Sequence, residues 1–241
     1  MDFLGLITAK GTSISVPRKN LRLLAGKPLI EYTSDEAKKS KHLDRIIVST
    51  EDPEIASLSR ESGIEVPFMR PLSLCRPETP HHPVVAHALE EMVSRGYKPD
   101  GIVILQPTSP FRTVEHIDGT IEAFMAGGCD SAISVRAVED HPYWMFRVRR
   151  GKLVPYVKTR KKYNRRQDLP VIYRRNGAVF VMTPEVVRSG RLLGDKVRPY
   201  IMDWLSSFEI DTEDDMDYAE VIMRKRKGLK GTGAISQKPS G

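Results

Sequence analysis

Four short stretches of this chain carry apolar residues toward both faces: Phe3–Thr8, 45–49, Gly101–Leu105 and 131–136. A strand with no polar face must be covered on both sides, which is the signature of a parallel sheet between two helical layers. The segments between them have helical spacing, over residues 29–40, 53 to about 63, 84–95 and Val114–Met125. Their boundaries are marked chemically. Pro28 opens the first, Asp52-Pro53 forms an N-cap with a first-turn proline, and Gly96 and Gly127-Gly128 close later ones. Strands alternating with helices in this order predict an α/β fold, a mostly parallel sheet of Rossmann-like type. In such sheets ligands bind beyond the carboxyl ends of strands. The loops after Thr8, Ser49, Leu105 and Arg136 are therefore the places where function is expected.

The rhythm breaks after about residue 138. Residues 139–172 are rich in proline, aromatics, arginine and lysine, and have no clean helical period. They read as an insertion with short strands, suited to an oligomerisation arm. The main domain would then comprise residues 1–138 and 173–227, with strands at 178–182 and 208–211 and helices at Pro184–Arg188 and Glu213–Arg226. The remainder, 228–241, has the Gly/Ser/Thr/Lys/Pro composition of a disordered tail.

The formal charge of +7 raises the question of anionic partners. Part of it lies in KTRKKYNRR, Lys158 to Arg166, next to tyrosines, and part in the terminal RKRKGLK. No nucleic-acid recognition motif accompanies either cluster, so nucleic acid is not expected as a partner. No apolar run is long enough to cross a membrane. Cys75 and Cys129 are far apart and lack metal-ligand spacing, which suits reduced thiols in the cytoplasm.

Three stretches could carry chemistry. The loop AKGTSISVPRKN, residues 9–20, follows the first strand and offers backbone amides, hydroxyls and the cations Lys10, Arg18 and Lys19 to an anion. It matches neither the P-loop nor the dinucleotide fingerprint. LQPTSPFR follows the third apolar strand, where two prolines stiffen a segment bearing Gln106 and Arg112. Glu209 and Asp211 alternate about Ile210, which puts both carboxylates on one face, and oxygen donors of this kind suit Mg²⁺. Arg166-Gln167 and Arg174-Arg175-Asn176 bring forked cations and amides beside another strand. His81, His82 and His141 have no companions at metal spacing and are expected in loop or surface roles.

In the order GKPLI, IIVSTEDPEIA, VPFMRP, LQPTSPFR, RRQDLP, YRRNGAVFV, EIDTEDD, following the loop that ends PRKNL, these segments resemble the CMP-N-acylneuraminate cytidylyltransferases and their relatives. The likeness runs from about residue 3 to residue 224. It implies a nucleotidyltransferase with an inserted dimerisation arm, working as a homodimer with Mg²⁺. The reaction implied is attack of an acidic nine-carbon sugar (of sialic, legionaminic or pseudaminic acid type) on CTP, giving CMP-sugar and pyrophosphate. The resemblance further implies that Lys10, Gly11, Ser13, Asn20 and Arg70 touch the nucleotide. Gln106, Arg112, Arg166, Gln167, Arg174 and Asn176 would line the sugar pocket. Glu209 and Asp211 would hold the metal, with Lys19 and Asp211 acting in catalysis.

The departures from the family pattern set alternatives beside that reading. The family loop has lysine where this chain has Ile14, a charge-assisted contact worth about 1.5–3 kcal/mol. The first metal-site aspartate is Glu209. The stretch that helps recognise the base reads CRPETPHHP. Use of another nucleotide such as GTP, or binding without turnover, would follow from these changes.

Overall fold

The computed structural model describes residues 1–13, 15–226 and 228. Ile14 and the tail beyond residue 228 lie outside the described residues. The central sheet contains β1 (Phe3–Thr8), β4 (Leu43–Ser49), β5 (Gly101–Leu105), β6 (Ser131–Ala137), β9 (Tyr173–Met182) and β10 (Val197–Ile201), in the order β10-β6-β9-β5-β1-β4. The pairs β1/β4, β1/β5 and β6/β10 are parallel, as the continuous apolar runs require. A two-residue hairpin, β2 (Leu23–Leu24) with β3 (Lys27–Pro28), leads into the first helix.

Alternation along β1 shows how both faces are sealed. Phe3 and Ile7 join one core with α1 (Leu29–Lys38), α2 (Pro53–Glu61) and α4 (Val114–Met125). Leu4 and Leu6 point the other way, into a core with α3 (His81–Ser94) and α5 (Pro184–Arg188). Each of these fully buried side chains contributes about 1.5–3 kcal/mol. A third cluster packs α6 (Glu213–Arg226) through Met216, Ala219 and Met223 against Val16, Leu29 and Phe111. Helix α6 is thereby fastened to the loop that follows β1.

Three features depart from the sequence reading. β9 runs antiparallel to both neighbours, β5 and β6, and begins at Tyr173 rather than near residue 178. The reason is geometric. The chain leaves β6 at Ala137 and returns at its paired residue Tyr173 on the same edge, so it can only run back the other way. A parallel return would need a crossover over the sheet. The second departure is β10, an edge strand that sequence reading passed over because Pro199 interrupts it. Proline has no amide to donate, and an edge position tolerates that loss. Conversely, residues 208–211 form no strand. They are an extended segment pinned where the Ile210 amide donates to the Thr108 carbonyl, 2.8 Å.

Between β6 and β9, β7 (Phe146–Arg149) and β8 (Lys152–Pro155) form a separate two-stranded hairpin. Phe146, Val148 and Leu153 lie on it with large exposed apolar surfaces.

Candidate active site

From β1 the chain crosses to β4 on one side, and β5 then enters on the other side of β1. The loops leaving β1 and β5 therefore diverge and leave a crevice at the carboxyl edge, the place where open α/β sheets bind ligands. A cavity of about 520 Å³ occupies it, within the range of small-molecule sites. The loop after β1 supplies Thr8, Lys10, Ser13, Ser15, Lys19 and Asn20. The loop after β5 supplies Gln106, Pro107 and Thr108. A third wall comes from Leu74 to Val84, including Arg76, Thr79 and His81. The described lining contains three cations (Lys10, Lys19, Arg76) and no carboxylate. Such a surface selects anions.

The first loop is held by its own side chains. Asn20 Nδ2 donates to the Lys10 carbonyl at 2.9 Å, closing the loop on itself. Arg18 takes a left-handed conformation, φ 54°, which turns Lys19 inward. Lys19 is buried, and its Nζ donates to the Ile210 carbonyl at 2.8 Å and lies 3.5 Å from Asp211 Oδ1. Lysine, carboxylate pair and cavity are thus joined although their residues are remote in sequence.

Glu209 and Asp211 flank the fully buried Ile210. Asp211 is 74% exposed, whereas Glu209 is 24% exposed. Burial, and then the neighbouring Asp211 charge, push the Glu209 carboxyl up to about 7. Gly177 lies against it with φ +70°, and a Cβ there would sit 1.9 Å from Glu209 Oε1. A pair of oxygen donors that repel one another suits a divalent cation, which would relieve the repulsion. Among the described residues no cluster of three metal-ligating side chains exists, so a bound Mg²⁺ would complete its shell with water and phosphate oxygens.

Several expected site residues lie elsewhere. Arg112 does not line the cavity. It is buried, donating to the carbonyls of Gln106 and Ala178 at 3.0 and 2.8 Å and to Thr33 Oγ1 at 2.6 Å. Burial lowers its guanidinium to about 9. It is a clasp between α1, β9 and the turn that presents Gln106. Asn176 is also fully buried, accepting from Ser134 Oγ at 2.6 Å and donating to Ser207 Oγ at 2.7 Å. Both were expected in a sugar pocket. A polar residue beside a strand end looks the same in sequence whether it points to the ligand or into the core.

Arg70 is likewise buried, with Nε donating to Ser49 Oγ at 3.1 Å, and it does not line the cavity. The Gly11 amide, expected to face phosphate, donates instead to Glu51 Oε1 at 2.8 Å. Arg166 and Gln167 are exposed, with Arg166 3.9 Å from Glu139. Arg174 lies 4.0 Å from Glu209 Oε2.

His81 is the clearest omission of sequence reading. It opens α3 on the cavity wall, with Nε2 3.0 Å from Thr8 Oγ1. Burial, and then the Arg70 charge, lower its imidazole to about 4, so it is neutral near pH 7. The signal was present in Pro80 and Pro83, which bracket a helix start at residue 81 rather than 84.

Comparison with known proteins agrees with this geometry. By structure, the fold resembles a CMP-2-keto-3-deoxy-manno-octonic acid synthetase complexed with CTP. That match has a TM-score of 0.69 at 14% identity, covering 94% of this chain and 100% of that one. By sequence, the chain is 31% identical to a CMP-N,N'-diacetyllegionaminic acid synthase of Legionella pneumophila, over 92% of this chain and 97% of the relative. It is 32% identical to an N-acylneuraminate cytidylyltransferase of Streptococcus agalactiae, over 87% of this chain and 50% of the longer relative. The model of the cytidylyltransferase family matches residues 4–233. With the anion-selective crevice, the sheet order and this match over nearly its whole length, the chain belongs to the cytidylyltransferase family.

Proposed function

We propose that this enzyme transfers CMP from CTP to the anomeric hydroxyl of an acidic nine-carbon sugar. The sugar oxygen attacks the α-phosphorus, the bond from that phosphorus to the β-phosphate oxygen breaks, pyrophosphate departs and the hydroxyl proton is released. The observation that carries the reading is the cavity at the carboxyl ends of β1 and β5, whose described lining holds three cations and no carboxylate. The names of the Legionella and Streptococcus relatives, one CMP-forming and one cytidylyl-transferring, favour CTP over GTP.

In this reading Lys10 and Ser13 face the triphosphate, and Lys19 stabilises charge that develops on the transferring phosphate. Lys19 is suited to that role because its Nζ is already oriented by the Ile210 carbonyl. Glu209 and Asp211 would hold Mg²⁺, which supplies charge neutralisation for the triphosphate. Gln106 and the exposed Arg166, Gln167 and Arg174 would meet the sugar, with an arginine on its carboxylate.

The hairpin β7–β8 serves in this reading as the arm of a homodimer. The exposed apolar row Phe146, Val148 and Leu153 supports it, because a second copy would cover such a face. The cytoplasm, which is reducing and supplies CTP, suits the two free thiols Cys75 and Cys129.

The test is pyrophosphate release with Mg²⁺, each of the four nucleoside triphosphates, and a panel of sialic, legionaminic and pseudaminic acids. Release with CTP and at least one nonulosonate is expected. Release with no pair would refute the enzymatic reading, and release with GTP alone would refute the choice of nucleotide.

A further inference from the structure

We propose that Glu51 is a positioning residue for the phosphate-facing loop, anchoring it at Gly11 through an internal carboxylate–amide bond backed by Arg70. The loop leaves β1 with Ala9 still bonded to β4, its amide donating to the Ser49 carbonyl at 3.1 Å. Two residues later the Gly11 amide donates to Glu51 Oε1 at 2.8 Å. Gly11 is pressed against the same turn, since a Cβ on it would lie 2.2 Å from Asp52 Oδ2. The loop therefore has one face on the 51–52 turn, while Lys10 and Ser13 face the cavity.

The Glu51 side chain is 7% exposed, and its second oxygen, Oε2, is buried with no hydrogen-bond partner. A carboxylate in that condition is costly unless a charge compensates it. Arg70 does so, with Nη1 4.0 Å from Oε2. Arg70 is fixed in turn by Ser49, which accepts from its Nε and Nη2, and by the bond from its own amide to the Thr50 carbonyl, 2.8 Å. Burial, and then its side-chain contact with Glu51, push the adjacent Cys75 thiol up to about 11, so it adds no competing charge near pH 7.

The arrangement has a physical purpose. A Gly/Ser-rich loop has many conformers, and a ligand that must order it loses affinity in doing so. A charged acceptor on the loop's first free amide removes part of that disorder in advance and makes a stronger bond than a neutral acceptor would. It also withdraws the Gly11 amide from the donors open to phosphate, leaving that contact to Lys10 and the serines. Arg70 thus acts on the nucleotide site through Glu51.

The kinetic part of the test rests on the CTP-dependent reading above; the spectroscopic part does not. In ¹⁵N–¹H spectra of the full chain, the Gly11 amide should be protected from exchange in the wild type and in Glu51→Gln, and unprotected in Glu51→Ala. In pyrophosphate-release assays, Glu51→Ala should raise KM for CTP about tenfold to a hundredfold. The kcat and the KM for the sugar should stay within about twofold, and Glu51→Gln should recover most of the loss. A Gly11 amide that keeps its protection in Glu51→Ala overturns the proposal. So does a variant that only loses melting temperature, with KM for CTP unchanged. If the wild type releases no pyrophosphate with CTP, the functional reading fails by itself, and the Gly11 resonance still decides the anchor.

Discussion

The Lys19 ammonium donates to the carbonyl of Ile210 across 191 positions of sequence. That bond ties the loop after β1 to the segment that carries the carboxylates on either side of Ile210. Lys19→Met keeps the aliphatic stem and deletes the charge. The expected result is a fall in kcat/KM for CTP of about tenfold to a hundredfold or more. Pyrophosphate release at limiting CTP measures it. An unchanged kcat/KM would show that Lys19 only pins the Ile210 segment.

Gly177 has φ +70° and no space beside Glu209. Gly177→Ala should displace that carboxylate and place a side chain in an unfavourable backbone region, costing about 1–3 kcal/mol. The functional signature is a raised Mg²⁺ requirement for turnover, measured by titrating the metal at saturating substrates. Loss of stability with an unaltered Mg²⁺ profile would separate Gly177 from the carboxylate pair.

Arg112 makes three hydrogen bonds from a fully buried position. Arg112→Met should destabilise the fold by about 1–3 kcal/mol, because it leaves buried neutral acceptors without a donor. Urea unfolding measures this loss. The KM for the sugar, measured on the folded fraction, should barely move. A large rise in that KM with little loss of stability would restore Arg112 to the sugar pocket.

His81 makes folding depend on pH. Its imidazole is lowered to about 4 in the folded protein, against about 6.5 when unfolded. Between those values the unfolded chain binds the proton and the folded chain does not. Stability should therefore fall as pH drops from 6.5 toward 4, by about 3 kcal/mol from this residue. Urea unfolding at pH 7 and pH 4.5 measures the loss, and His81→Gln should flatten that part of the profile. An unaltered slope in the variant would show that other groups carry the acid sensitivity.

Much of the site was legible in sequence order, and the reasons differ by residue. Lys10, Ser13, Lys19, Asn20 and Gln106 line one cavity because each lies just past a strand whose apolar run identifies it. Arg112 and Asn176 carried the same local signals and point into the core. His81 carried a helix-start signal that was read three residues late. The Gly11 amide was legible as a donor, but its acceptor, Glu51, lies 40 residues away.

By itself the sequence determined the layered α/β architecture, because strands apolar on both faces have no other way to be buried, and the family, because eight ordered motifs span the chain. Tertiary structure alone decided which polar side chains line the crevice and which hold the frame. The direction of β9, the inward turn of Arg112 and Asn176, and the capture of Gly11 by Glu51 all depend on what lies opposite in space. A hydrogen bond or ion pair is settled by distances of a few ångströms between residues that sequence separates by tens or hundreds of positions.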